Sequence, residues 1–277
     1  MTGRPEMNFV NRIYARLMAL WRYRGFVFGM VGREFRARYL GSLLGIFWAV
    51  LNPLAMIFVY TVIFSNVMGA RLAGATNDTM AYGIFLCAGL LSWNFFAELL
   101  GRCQNIFIEQ ANLLKKLNFP RITLPAILFL STGINFIIIF GIFIGFLALS
   151  GRFPGWNLLF FIPLLLIQQG FALGLGMLLG TLNVFFRDIG QAVGIILQFW
   201  FWFTPIIYPV SILPESIRGL IYLNPMTQLT IGYQQIILKN TPPVWALLKF
   251  HFLGTILMLL IGLIVFTRLS DDIVDEL

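Results

Sequence analysis

The chain has 277 residues, of which 59% are hydrophobic and 11% charged, with a formal net charge of +8. So little charge cannot solvate the surface of a water-soluble protein of this size, and it leaves no room for a second, soluble domain. The basic excess flanks apolar stretches, which directs it to anionic lipid headgroups and argues against nucleic acid as a partner.

Residues 39–70, 79–97, 122–151, 153–186, 189–214, 219–238 and 250–267 contain no Asp, Glu, Lys or Arg. A helix needs roughly 20 mostly apolar residues to cross a bilayer. Six of these gaps qualify. The stretch 219–238 does not, because Asn224, Thr227, Gln228, Thr230, Gln234 and Gln235 are too many polar groups for hydrocarbon. The expected fold is an all-α polytopic membrane protein with six transmembrane helices near 43–66, 80–100, 123–149, 157–182, 189–208 and 245–267. It forms one transmembrane domain: a cytoplasmic region 1–42, a bundle 43–267 and a tail 268–277. Segments 1–42, 101–122, 183–188 and 268–277 carry fourteen Lys or Arg, against five on the other side. The positive-inside rule then places both termini in the cytoplasm. The first 25 residues are Arg-rich without a continuous apolar core, so no cleavable signal peptide is expected.

Residues 8–24 read as an amphipathic helix in the headgroup plane, with Val10, Ile13, Leu17, Leu20 and Trp21 at helical spacing. Arg33, Arg36 and Arg38 then abut the first span. Two readings stand: a topological stop that snorkels to phosphates, or a guanidinium cluster that grips a lipid pyrophosphate bidentately. The segment 102–121 carries Ile106, Leu113, Leu114, Lys115, Lys116 and Leu117 before Phe119-Pro120 stops the helix. Its apolar stripe suits docking into a partner's groove, or a structured connector.

Gly170, Gly174, Gly176 and Gly180 form two GxxxG pairs that permit close helix packing within the bundle. Phe199-Trp200-Phe201-Trp202-Phe203 covers every face of a helix, so some rings must turn inward. Pro205 and Pro209 end that helix. The segment 205–244 is expected to hold helices near 214–222 and 226–238, split at Asn224-Pro225 and either re-entrant or lying on the external surface.

No G-x-x-x-x-G-K-[ST] is present, so no nucleotide site is expected in this chain. One histidine, His251, and two cysteines offer no metal cluster. His251 reads as a hydrogen-bonded interfacial residue. Cys87 and Cys103 lie about 24 Å apart if on one helix, so they cannot pair with each other. Glu98 and Arg102 are four apart and can pair along a helix. Without buried charges in mid-span, an ion-driven carrier is disfavoured.

Several segments in order resemble the permease subunit of bacterial type-2 ABC exporters of polysaccharides (O-antigen, capsule, teichoic acid). They are Arg38-Tyr39 through Leu44-Gly45 with Trp48 and Pro53; Asn112 through Lys116 with Phe119-Pro120-Arg121 and Pro125; Asn183 through Asp188; and Thr204 through Pro209 with Leu213-Pro214 and Asn224-Pro225. The resemblance implies a homodimer in the bacterial inner membrane, bound to two copies of a separate ABC ATPase that carries the ATP and Mg. It also implies a polyprenyl-pyrophosphate-linked glycan as cargo, with O-antigen foremost. Within that frame Trp48, Phe95, Phe96, Phe199, Trp200, Trp202, Phe203 and Tyr208 are expected to line the glycan path, because sugar C–H faces stack on rings without a fixed hydrogen-bond pattern. An exporter of drugs or lipids is the alternative cargo class. A membrane glycosyltransferase would want a carboxylate cluster, and the external loops offer only Asp78 and Glu215.

Overall fold

The computed structural model describes residues 18–39, 47–64, 79–117, 119–270 and 272–277, and they are predominantly helical, with no strand among them. Most of the amphipathic segment 8–24, the stretch 40–46 and Asp78 lie outside the described residues. Among the described residues twelve α-helices run in order: α1 Arg24–Tyr39, α2 Phe47–Phe58, α3 Thr79–Cys103, α4 Ile106–Glu109, α5 Ala111–Lys116, α6 Thr123–Leu149, α7 Phe161–Phe185, α8 Asp188–Phe203, α9 Glu215–Leu223, α10 Pro225–Gln234, α11 Trp245–Leu269 and α12 Asp272–Glu276.

Among the described residues four helical stretches are long and apolar enough to cross a membrane: Met80–Cys103, Thr123–Leu149, Gly155–Phe185 and Trp245–Leu269. Of the other two expected spans, 43–66 is described only over 47–64, where it is helical, and 189–208 is an α-helix only as far as Phe203. Buried Pro53 sits inside α2 and lacks the N–H that would bond one turn back, and the helix then widens into a π-segment, Val59–Phe64. There the Thr61 hydroxyl donates to the Ile57 carbonyl at 2.6 Å. Helix α8 stops at Phe203 because Pro205 cannot continue it. The Thr204 hydroxyl donates back to the Trp200 carbonyl at 2.8 Å and closes the end.

Helix α3 is the buried centre, with Phe96, Leu99 and Cys103 wholly enclosed. Cys87 and Cys103 are both buried thiols on that helix, unpaired as their spacing requires. The glycine pairs act within the bundle. A Cβ at Gly174 would stand 2.6 Å from the Leu259 amide nitrogen of α11, and one at Gly180 would stand 2.5 Å from the Cys103 carbonyl of α3. Small residues here let backbones touch where lipid offers no hydrophobic drive for association. Asn240 ends the π-segment Gln235–Lys239 in the left-handed region, at φ 50°. Asn tolerates this better than bulkier residues, and the Asn157 amide holds it by donating to its carbonyl at 2.6 Å.

The hairpin α9–α10 falls at the expected place and packs inward. The Asn224 side chain caps α10 by accepting from the Met226 N–H at 2.9 Å, and Pro225 occupies the first turn. Tyr233, fully buried, donates its hydroxyl to Gln168 Oε1 at 2.7 Å and packs on Phe161 with ring centroids 4.4 Å apart. The hairpin therefore descends along α7 to the level of Gln168, seven residues beyond Phe161.

Candidate transport path and coupling site

Glu98, near the C-terminal end of α3, is the hub of a charge network. Its Oε1 is 2.8 Å from Arg38 Nη2 and 3.8 Å from Arg102 Nη1, and its Oε2 accepts from the Asn135 amide at 3.2 Å. Arg102 also pairs with Glu34 of α1. The two ion pairs fasten α1 to α3 at both Glu34 and Arg38. The i,i+4 pair expected between Glu98 and Arg102 is thus the longer link, and each residue has a nearer partner on α1. Glu34 and Asn135 had no place in the sequence reading. Their signals were present: a single acid among the arginines, and an amide within the most apolar span.

The arginine cluster divides. On a helix, positions 33 and 36 share a face and position 38 turns away from it. Arg38 is engaged by Glu98. Arg33 and Arg36 are exposed, and among the described residues the Arg33 guanidinium reaches only Met30 of its own helix.

The segment 102–121 forms two short helices and not one. Ile106 and Leu114 turn inward and are buried, and Phe107 stacks on Phe266 with centroids 5.6 Å apart. Leu113 is half-buried; Asn112, Lys115, Lys116 and Leu117 are exposed, Leu117 at 52%. The apolar stripe is therefore shared, with one part anchoring the segment and Leu117 left outside. A buried polar knot anchors it further. The Asn183 amide donates to the Gln104 carbonyl at 3.0 Å and to Asn105 Oδ1 at 3.1 Å, and Asn183 Oδ1 accepts from the Gly190 N–H at 2.9 Å. The short turn before α8, where Arg187 and Asp188 stay exposed, is thereby tied to the segment that follows α3.

Helix α8 carries the aromatic tract away from this knot. At 100° per residue the tract splits into two faces. Trp200 and Phe201 turn inward: Trp200 packs on Trp93, Phe96 and Phe171, and its indole N–H donates to Asn224 Oδ1 at 2.7 Å. The Asn224 amide closes the lock by donating to Thr204 Oγ1 at 2.9 Å. Phe199, Trp202 and Phe203 face out, each about 60% exposed. Of the other expected path residues, Trp48 is exposed on α2, and Tyr208 is half-buried with its hydroxyl donating to the Trp202 carbonyl. Phe95 is buried and stacked on Phe136 at 4.5 Å, and Phe96 is fully enclosed in this conformation.

Among the described residues no group of His, Cys, Asp or Glu is placed to hold a metal ion. The arrangement presents an exposed aromatic face on one helix, held in register by a buried lock, and polar ties that run from a surface segment to that helix and to α1.

The profile of the family described as ABC-2 type transporter matches residues 26–238. An O-antigen export system permease protein RfbA from Myxococcus xanthus is 34% identical over 226 residues, 81% of this chain and 84% of that protein. Two proteins of the same name from Klebsiella pneumoniae are 30% and 28% identical over 251 residues, each covering 89% of this chain and 94% of theirs. The chain belongs to the ABC-2 type transporter family.

Proposed function

We propose that this chain is the membrane subunit of an ATP-driven exporter that moves a lipid-linked polysaccharide, O-antigen, out of the cytoplasm. The cargo follows the relatives, all three of which are named O-antigen export permeases. In this reading α2 with its π-segment and α8 complete six spans, both termini are cytoplasmic, and the bilayer is the inner membrane. The hairpin α9–α10 is re-entrant from the external side. Two copies meet along α2 and α8 and enclose the path, and a separate ATPase docks on 106–117. Arg33 and Arg36, the guanidinium groups left outside the ion pairs, receive the carrier's pyrophosphate. The exposed face of Phe199, Trp202 and Phe203 carries the reading. Rings that only anchored the helix in lipid would need no lock to hold Trp200 inward and the rest outward.

The test is substitution on that face. Trp202→Leu, which keeps apolarity and loses the ring, is expected to lower surface glycan about tenfold, the equivalent of 1.4 kcal/mol of lost stacking. Ile137→Ala, on an equally exposed position of α6, is expected to change nothing. Equal tolerance at both positions would reduce the tract to a lipid anchor.

The docking reading gives a second expected result. Leu117→Asp removes an exposed apolar contact worth about 1.5–3 kcal/mol when buried. It is expected to release the ATPase on co-purification while the chain remains in the membrane. Retention of the ATPase would assign 106–117 to internal packing alone.

A further inference from the structure

A cavity of about 670 Å³ lies between α7, the hairpin α9–α10 and the first half of α11. This volume is in the range of small-molecule sites. It is separate from the aromatic face of α8 and from the charge network on α3. Its walls are mainly apolar, with Phe171, Leu223, Leu247 and Phe250 among them, and among the described residues no Asp, Glu, Lys or Arg lines it.

Five polar side chains line it: Tyr222, Gln228, Gln235, His251 and Thr255, of which the Thr255 hydroxyl donates to the Ile167 carbonyl at 3.0 Å. Among the described residues the Tyr222 hydroxyl and both carboxamides make no protein hydrogen bond. Among the described residues the hydrogen bonding of the His251 ring stays within its own helix, with Nδ1 3.1 Å from the Leu247 carbonyl. With Nδ1–H donating there, Nε2 is left as an acceptor. His251 lies six residues inside α11 from Trp245, about 9 Å along the helix axis. Polar groups at that depth are costly unless something satisfies them.

The geometry points to a binding site for a glycerophospholipid of the bilayer, with its headgroup drawn below the membrane surface into this cavity. The recognition is chemical. The Gln228 and Gln235 amides and the Tyr222 hydroxyl donate to phosphate and ester oxygens. His251 Nε2 accepts from the N–H or O–H of an ethanolamine or glycerol headgroup. One acyl chain lies on Leu247 and Phe250, which already face outward from the bundle. An uncharged lining favours a whole phospholipid, whose phosphate stays diester-linked, over a free phosphate or a terminal pyrophosphate, which would call for Arg or Lys. The inference rests on α7 and α11 being spans and stands whatever cargo moves along α8.

The test uses the full chain in nanodiscs of phosphatidylethanolamine and phosphatidylglycerol that carry a diazirine near the headgroup, with labelled peptides mapped after irradiation. Peptides covering 225–239 and 245–255 are expected to be labelled about tenfold above those covering 133–145 of α6, a preference of about 1.4 kcal/mol. Gln228→Leu with His251→Leu is expected to bring labelling down to the α6 level. Gln228→Asn with His251→Gln, which keeps hydrogen-bonding groups, is expected to retain most of it, and equal elution behaviour of both double variants on gel filtration controls for folding. Uniform labelling, or labelling unchanged in the leucine variant, would overturn the site. Displacement of the label by polyprenyl phosphate would assign the cavity to the carrier lipid and overturn the phospholipid reading. Crosslinks to a second copy of the chain in place of lipid would overturn it as well.

Discussion

Replacing Gly174 by leucine is expected to prevent α7 and α11 from assembling. The two helices meet backbone to backbone: a Cβ at position 174 would lie 2.6 Å from the Leu259 nitrogen and 2.7 Å from the Met258 carbonyl carbon. Across the contact, Gly262 faces the Gly174 carbonyl just as closely, so neither helix can yield on its own. Overpacking a core costs about 1–3 kcal/mol where side chains can move. Here the obstacle is backbone, so the upper end of that range or more is expected. The alternative for the chain is two helices apart in lipid, with little hydrophobic penalty to draw them back. The measurement is recovery of monodisperse protein and its thermal midpoint. Gly141→Leu is the control, since a Cβ there meets nothing within 4 Å. Equal recovery of the two variants would mean that α7 and α11 can part without cost.

The large pattern was legible because a bilayer removes most choices. Charge-free stretches of span length had to be helices, and 123–149 and 245–267 agree with the structure to within two residues at each end. The glycine pairs declared close packing, though not which neighbour each would meet. The hairpin was legible from Asn224-Pro225, which caps and opens a helix in one step. Periodicity was a poorer guide where one stripe serves two purposes. Ile106, Leu113 and Leu117 all read as one apolar face, yet the first is buried within the chain, the second half-buried and the third exposed. The aromatic tract shows the same limit. Its composition required some rings to turn inward, but that Trp200 is the one fastened by an amide depends on Asn224 returning from 24 residues later. Long-range polar pairs such as Asn183 with Gln104, or Asn135 with Glu98, leave no periodic trace. A single amide in an apolar span was their only mark.

The charge network yields the sharpest functional test, because it separates a mechanical tie from a phosphate site. Arg102 stands one residue before the end of α3, and α4 begins at Ile106, so movement of the 106–116 segment reaches α1 most directly through the Arg102–Glu34 pair. Both side chains are partly exposed, and the pair itself contributes at most about 1 kcal/mol to stability. Its expected weight lies in coupling. Glu34→Gln and Arg102→Gln are each expected to lower glycan export about tenfold while the assembled complex continues to hydrolyse ATP. The double variant is expected to export no worse than the poorer single one, since both changes cut one link and coupled sites do not add. Arg102 acting as an independent ligand for the carrier's phosphate would give multiplicative losses in the double variant and leave the Glu34→Gln chain near normal. A fall in ATP hydrolysis in parallel with export would place the pair in assembly of the complex and not in transmission.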